Sequence, residues 1–500
     1  MKFIFSIILL FPFAAMSQLQ LAKIFSDNMV LQRDEPIHIW GKGLPGKKVT
    51  ASFAKDEKNV TIDADSSWSI YLGKQKANAQ PQSLLLRSGT EQITLNNILV
   101  GDIWLCFGQS NMQFSMQEEM HFQEEKLNSS QPLIRFYNPS FMGRTVFGKP
   151  FTDSIMKRLN ANDFYTDVDW QNCDSNSVKT MSAIGYYFGK EIVQHQNVPI
   201  GLINLSIGGA PIETFIPLDA LENNKKFSAK AKGNWLMNKN LPEWIKERGR
   251  QNFTGNQIVY ADEFGPNHGF KPGFAYEAGI EPILGLPIKG ALWYQGESNS
   301  QEPQSVKDYD ELQKMLVDQY RKKWKESSIP FYWVQLSSID TASYKSQLWP
   351  EFRNMQRLLL KKIENSGMAV CSDIGAKNNV HPTNKKAVGE RLATWARYQT
   401  YKEKIVPSGP LPLTATYKKG NVIVSFQYAA AGLQTSDRKT LRGFSIDGKN
   451  ISDARIEKNT VLIPASKKPK YIYYAWQPFA DANLVNAEQL PASTFKLALQ

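Results

Sequence analysis

The sequence is poor in cysteine and histidine, and past its first residues it has no apolar run of membrane-spanning length. Three cysteines in 500 residues exclude a disulfide-stabilised scaffold and a zinc protein built on several cysteines. Because no HExxH motif and no Cys/His cluster with ligand spacing occurs, the sequence predicts no metal site. Beyond the N-terminus no stretch reaches about 18 apolar residues without a charge, which excludes a membrane span.

Two further classes of partner are excluded by local pattern. The net charge of +12 raises the question of nucleic acid, but the densest basic patch, Ser466–Lys470, is short, so a solvated basic surface is predicted. The segment Gly41–Gly46 (GKGLPG) matches a dinucleotide-binding pattern. Since Pro45 and a β-rich stretch follow where a helix should begin, we interpret it as a turn and predict no organic cofactor.

The first 17 residues have the pattern of a secretory signal. Met1 and Lys2 precede the apolar run Phe3–Phe13, and small residues follow at Ala15 and Ser17. This run is too short to span a bilayer, and the small residues suit cleavage before Gln18. We therefore expect export, to the periplasm or the medium.

The rest of the chain divides into three regions by pattern. Residues 18–98 contain seven short, often alternating apolar segments separated by turn residues, which predicts a β-sandwich-like domain. Residues 405–500 return to the same pattern and predict a second β-domain. The central region, 99–404, alternates short apolar runs with helical stretches such as 183–194, 309–325 and 384–401, which predicts a doubly wound parallel sheet of the α/β class.

Five apolar runs in the central region each end in a loop of glycine and small polar residues. The loops begin after Phe107, Leu205, Tyr294, Leu336 and Cys371. Because parallel sheets bind ligands beyond the carboxyl ends of their strands, these loops should converge on one site. Residues 217–268 show mixed charge and no clear strand pattern, and are interpreted as an insertion or lid.

Ser110 and His381 are the candidate nucleophile and base. Ser110 follows a buried strand and precedes a predicted helix, where helix amides would stabilise negative charge. The motif is not the GxSxG elbow, because Met112 occupies the last glycine position. Of the five histidines, only His381 lies in a loop after a central strand.

Several blocks of the sequence resemble the sialate O-acetylesterase family of SGNH-type hydrolases. The block Gly101–Met112 (GDIWLCFGQSNM) resembles the nucleophile block, and Trp293–Asn299 (WYQGESN) resembles a second one. A third resemblance, to the family's histidine block, is carried by three segments together: Asp373–Gly375, Val380–Lys385 and Val388–Ala393. Further similarity lies in the C-terminal segments 474–476, 483–486 and 490–492.

The resemblance implies a flavodoxin-like SGNH domain that removes O-acetyl groups from sugars. It implies Ser110 as nucleophile and His381 as general base. It also implies an oxyanion site formed by the Ser110 amide, an amide from Gly208 or Gly209, and the Gln295 side chain. The implied partner is an acetylated sugar, and no cofactor is implied.

Two departures from the family pattern affect the expected site. The block Ser206–Ala210 (SIGGA) has no aromatic residue before its glycines, where one is more usual. Asn378 and Asn379 stand at positions where an aspartate usually supports the histidine. Glu297 and Asp373 are the carboxylates expected to face the same cleft. Glu297 is the preferred partner of His381, since it shares a block with Gln295, and a Ser–His dyad is the alternative.

Besides a sialate O-acetylesterase, the sequence leaves three functional hypotheses. The first is an acetylesterase whose acetyl carrier is a plant glycan such as xylan or xyloglucan in place of sialic acid. Loss of the usual acid also leaves open a sugar-binding protein with an inactive hydrolase domain. A glycosidase would need a carboxylate pair, but Glu118, Glu119, Glu124 and Glu125 are interpreted as one solvated helix face.

Overall fold

The N-terminal region consists of short strands. The computed structural model describes residues 18–253, 260–429 and 431–500, so the predicted signal segment 1–17 lies outside the described residues. The first strands are β1 (Gln20–Leu21), β2 (Val30–Gln32), β3 (Ile37–Lys42), β4 (Lys48–Phe53), β5 (Asp56–Thr61), β6 (Ser67–Leu72) and β7 (Asn78–Ser88). Strands β1, β3 and β6 form one sheet, whereas β4 pairs with β5 and β7.

Strands and helices alternate through the central region. The strands are β8 (Glu91–Gly108), β9 (Gln131–Tyr137), β10 (Gln171–Cys173), β11 (Ile200–Asn204), β12 (Ala261–Asp262), β13 (Gly265–Pro266), β14 (Gly290–Tyr294), β15 (Phe331–Val334) and β16 (Ser366–Ala369). The helices are α1 (Ser110–Gln113), α2 (Phe122–Leu127), α3 (Asp153–Met156), α4 (Ala183–Gln196), α5 (Leu218–Glu222), α6 (Glu243–Asn252), α7 (Pro303–Lys323), α8 (Trp349–Leu358) and α9 (Lys386–Gln399). The chain is therefore a mixed α/β protein, as predicted.

The central sheet has the order β10-β9-β11-β8-β14-β15-β16. All neighbours are parallel except β10, which runs antiparallel to β9 at the edge. After β8 the chain builds one side of the sheet with β9 and β11, and then the other side with β14, β15 and β16. The order therefore changes direction at β8, and a crevice is expected at the carboxyl end of that strand.

Strand β8 connects the N-terminal strands to the central sheet. Its first half pairs with β7 and β2, and its second half pairs with β11 and β14. The predicted domain boundary at 98/99 lies inside this strand of 18 residues. Since the ladder continues through Val100, which is fully buried, backbone hydrogen bonding and one apolar core join the two regions there.

The segment 217–268 contains α5, α6, β12 and β13, with 254–259 outside the described ranges. Its side chains are well packed where described: Trp235 is buried, and buried Lys230 pairs with Glu213 at 2.9 Å. The indole of Trp244 donates to the Ser298 carbonyl at 3.1 Å. Helix α6 is thereby tied to the loop that follows β14.

The C-terminal strands have a core of their own. They are β17 (Leu411–Lys418), β18 (Asn421–Gln427), β19 (Leu433–Thr435), β20 (Phe444–Ser445), β21 (Arg455–Glu457), β22 (Thr460–Pro464), β23 (Tyr471–Tyr474), β24 (Leu484–Asn486) and β25 (Phe495–Ala498). Arg353 of α8 joins them to the central region: its buried guanidinium donates to the carbonyls of Ala475, Gln477 and Pro478.

The three cysteines, Cys106, Cys173 and Cys371, are free and buried. Burial raises the pKa of each thiol to about 12. In the described residues, no helix is both long enough and apolar enough to cross a bilayer.

Candidate active site

Ser110 stands at the carboxyl end of the central strand, on a turn that only glycine permits. At Gly108 the backbone has φ +127°, and a Cβ there would lie 2.2 Å from the Tyr294 carbonyl oxygen. This close approach lets the chain leave β8 beside β14 and begin α1 at Ser110. Ser110 is half-buried.

His381 is in contact with Ser110. Its Nε2 lies 2.8 Å from the Ser110 Oγ, although the two residues are 271 positions apart. In the neutral ring, a proton on Nδ1 leaves Nε2 as the acceptor for the serine proton. The backbone N–H of His381 donates to Asn379 Oδ1 at 2.9 Å, which fixes the loop after β16.

The surroundings of His381 favour its neutral form. Burial, and then the charge of Lys385, lower the pKa of His381 below its ordinary value of 6.5, and the charge of Glu118 opposes them. A neutral imidazole in contact with a serine hydroxyl is the state that a general base requires.

Gly208 lies against the candidate nucleophile, Ser110. A Cβ on Gly208 would lie 2.8 Å from Gln113 Oε1 and 3.8 Å from Ser110 Cβ. Among the described residues, no group accepts a hydrogen bond from the Gly208 amide. In α1 the amides of Met112 and Gln113 donate to the Gln109 carbonyl, whereas those of Ser110 and Asn111, at its start, also have no acceptor among the described residues. These amides are suited to bind an oxyanion formed beside Ser110.

Of the other two predicted oxyanion residues, Gly209 also has an amide without an acceptor among the described residues, whereas the Gln295 side chain already has several partners. The Gly209 carbonyl accepts from Ser298 Oγ at 2.9 Å. Gln295 is fully buried, and its Nε2 lies 2.7 Å from Asn299 Oδ1, 3.1 Å from Gln109 Oε1 and 3.3 Å from the Ala210 carbonyl. Since an amide nitrogen has two hydrogens, oxyanion binding by Gln295 would require this network to rearrange. That role stays a prediction.

The structure brings neither predicted carboxylate to His381. Asp373 pairs with Arg391 through both of its oxygens at 2.7 Å. Glu297 Oε1 accepts from Asn111 Nδ2 at 2.5 Å. Within the described ranges, no carboxylate makes a hydrogen bond to the His381 ring, so the contacts are those of a Ser–His pair.

Behind Ser110 lies a buried polar cluster that sequence reasoning missed. Lys385 Nζ donates to Asn111 Oδ1 at 2.5 Å, and Asn111 in turn donates to Glu297 and to the Val380 carbonyl. Burial raises the pKa of Glu297 and lowers the pKa of Lys385 to about 7. The sequence offered one signal for this cluster, which is position. Asn111 directly follows Ser110, and Lys385 lies four residues after His381.

The acidic stretch after α1 was also misinterpreted in part. Glu118 and Glu124 are exposed, as expected, but Glu119 and Glu125 are buried. Glu119 accepts from Tyr187 Oη at 3.0 Å, and the Lys190 ammonium pairs with Glu125 at 2.6 Å. Donors from α4 therefore hold Glu119 and Glu125 in the interior. From the sequence, all four carboxylates were expected on one solvated face.

The chemistry that this arrangement can perform is acyl transfer. A serine hydroxyl, a neutral imidazole in contact with it and backbone amides beside it are the components of a serine esterase site. Among the described residues, no group of three or more His, Cys, Asp or Glu side chains is arranged to hold a metal ion.

Comparisons with known proteins identify relatives of this chain. The family profile for "Carbohydrate esterase, sialic acid-specific acetylesterase" matches residues 275–397. Sialate O-acetylesterase of Homo sapiens is 28% identical over 427 residues, which is 78% of this chain and 73% of the human protein. The Mus musculus protein of that name is 26% identical over 458 residues, 83% of this chain and 80% of its own.

A solved structure matches the whole fold. The crystal structure of a carbohydrate acetylesterase from Xanthomonas citri covers 96% of this chain and 100% of its own, with a TM-score of 0.78 and 27% sequence identity. Together with the site, these relatives define the chain as a carbohydrate esterase. Within that class the relatives include sialate O-acetylesterases, so the resemblance predicted from the sequence blocks is confirmed.

The lowered pKa of His381 predicts activity that extends into mildly acidic solution. The base must be neutral, so kcat/KM rises with pH through the pKa of free His381, and its midpoint is expected below 6.5. Lys385→Met removes a positive charge that lowers this pKa, and should move the midpoint upwards. A pH profile of 4-nitrophenyl acetate hydrolysis measures both. A wild-type midpoint above 6.5 would contradict this interpretation.

The contacts of Glu297 and Asp373 predict modest effects when either charge is removed. Losing the acid of a catalytic triad costs on the order of 10⁴ in kcat. Because neither carboxylate contacts His381, Glu297→Gln and Asp373→Asn should each lose less than about 100-fold. The measurement is kcat for both variants, with circular dichroism to confirm folding. A loss near 10⁴ in one folded variant would instead identify that carboxylate as the histidine's partner during turnover.

Proposed function

We propose that this protein is an exported serine esterase that removes O-acetyl groups from sugars, with sialic acid as the acetyl carrier. The observation that carries the proposal is the 2.8 Å contact between His381 Nε2 and Ser110 Oγ at the carboxyl end of β8. The relatives whose names specify sialate support the choice of sugar.

Acylation begins when Ser110 Oγ attacks the acetyl carbonyl carbon and His381 Nε2 takes the serine proton. The tetrahedral intermediate places negative charge on the former carbonyl oxygen, beside the amides of Ser110 and Gly208. One such donor, when preorganised, stabilises the transition state by about 3–4 kcal/mol. The intermediate collapses when the bond to the sugar oxygen breaks and His381 returns the proton to that oxygen.

Deacylation repeats these steps with water. His381 takes a proton from water, and the hydroxide attacks the acetyl-Ser110 carbonyl to form the second intermediate. This intermediate collapses when the bond between its carbon and Ser110 Oγ breaks, and Oγ takes the proton from His381. Acetic acid leaves and ionises to acetate in solution. The nearby charge of Glu118 favours the imidazolium that forms twice in this cycle, whereas the charge of Lys385 disfavours it.

Ser110→Ala should reduce acetate release to below about one per cent of wild type while the fold is retained, because the hydroxyl acts in bond formation and not in core packing. The substrates are O-acetylated sialic acid, acetylated xylan and acetylated xyloglucan, with acetate measured directly. Ser154→Ala, at an exposed position of α3, is the matched control and should behave as wild type. Higher activity in Ser110→Ala would overturn the nucleophile assignment. Faster release from xylan or xyloglucan than from sialic acid would overturn the proposed carrier.

Two further features of the sequence belong to the proposal. We propose that residues 1–17 direct export, and that the strands at either end of the chain form sandwich-like domains around the esterase. Export predicts that the mature protein begins at Gln18, because small residues precede it as signal peptidase requires. N-terminal sequencing of the protein recovered from the periplasm or medium checks this. Recovery of cytoplasmic protein beginning at Met1 would contradict it.

A further inference from the structure

Arg248, in the segment 217–268, is a half-buried cation without an anionic partner. Its guanidinium lies 5.1 Å from the centre of the Phe147 ring. Across the described ranges of the chain, no carboxylate pairs with it, whereas Lys246 and Arg250 of the same helix both pair with Glu243. Because its charge is partly buried, the pKa of Arg248 is lowered, and the charge of neighbouring Glu247, which makes no ion pair with it, opposes this shift. A partly desolvated charge without a partner is costly, so an anion that reaches it would be bound favourably.

The guanidinium shares a cleft with the proposed oxyanion site. Gly208 and Arg248 line the same narrow cleft, whose free volume is about 20 Å³ and whose walls include Phe147 and Phe270. Gly208 in turn lies against Ser110, as its close approach to the Ser110 Cβ shows. An ester bound at Ser110 would therefore place the remainder of its alcohol within reach of this cleft.

Helix α6 holds Arg248 in place relative to the nucleophile. Trp244 lies four residues before Arg248, on the same face of α6. Its indole donates to the Ser298 carbonyl at 3.1 Å and packs against Phe270. A Cβ on Gly209 would lie 3.0 Å from the Phe270 ring and 3.6 Å from the Trp244 ring. The guanidinium is thus carried by an element anchored to two of the loops that surround Ser110.

We infer that Arg248 binds the carboxylate of the substrate, and that it gives the esterase a preference for acetylated sugar acids over acetylated neutral sugars. This inference rests on the proposed function. A guanidinium binds a carboxylate through two parallel hydrogen bonds, a geometry that hydroxyl groups do not match. The exposed ring of Phe147, which lies beside Arg248, suits the apolar face of a sugar ring. Sialic acids carry a carboxylate that the xylan and xyloglucan backbones lack.

The test compares an O-acetylated N-acetylneuraminic acid with its methyl ester at the carboxyl group. Both substrates present the same acetyl ester, so their ratio of kcat/KM isolates recognition of the carboxylate. In the wild type the free acid should be favoured by about 10- to 100-fold, the range expected for hydrogen bonds to a charged group. Arg248→Gln should bring the ratio close to one, and Arg248→Lys should give an intermediate value.

Lys239→Gln is the matched control, because it removes an exposed positive charge from the same segment and should leave the ratio unchanged. Equal kcat/KM for the acid and its methyl ester in the wild type would overturn the role of Arg248, even if Arg248→Gln fails to fold. So would a folded Arg248→Gln that keeps the wild-type ratio. Failure of the wild type to hydrolyse either sugar or 4-nitrophenyl acetate would instead overturn the proposed function.

Discussion

The hydrogen-bond ladder of β8 is the constraint on which the rest of the structure depends. This strand pairs with the N-terminal strands β7 and β2 along its first half, and with β11 and β14 along its second half. Ser110, the proposed nucleophile, lies two residues after the end of this strand at Gly108. The position of Ser110 is therefore fixed by strands from both the N-terminal and the central region, and the loops that complete the site come from the neighbours of β8 in the sheet.

The second determinant of the site is a buried amide between two ionisable groups. Asn111 accepts from Lys385 and donates to Glu297, so each side of its amide is committed. A lysine ammonium has only donors, which fixes the orientation of the Asn111 side chain while Lys385 is charged. Because Asn111 follows Ser110, this cluster also stabilises the first turn of α1. Lys385 and Glu297 do not pair directly, because the Asn111 amide lies between them. The Glu297 Oε2 therefore has no hydrogen-bond partner among the described residues.

The sequence was informative about residues whose position depends on the ends of the central strands. The contact between Ser110 and His381 could be anticipated because polar loops after buried strands meet at one edge of a parallel sheet. The continuity of β8 was not predicted, because Asn96, Asn97 and Gly101 are typical turn residues and suggested a break. In the structure Asn97 adopts φ +57° within the strand, and the ladder resumes on both sides of it.

The partners of charged side chains were harder to predict than the fold. Asp373 and Glu297 do follow central strands, yet each is bound by a residue from elsewhere in the fold, Arg391 or Asn111. A pattern of carboxylates shows where negative charge lies, but it contains no information about which donor will face it. The same reason explains why the burial of Glu119, and the position of Arg248 beside Gly208, became visible only in three dimensions.

Because the cysteines are buried, their reaction with a thiol reagent can report local opening of the fold. The thiolate is the reactive form of cysteine, and thiols with pKa values near 12 present almost none of it at neutral pH. Cys106 lies in β8 itself, between β11 and β14. A reagent can modify Cys106 only after β8 separates from its neighbours at the centre of the sheet. The rate of modification would then measure how often this part of the molecule opens.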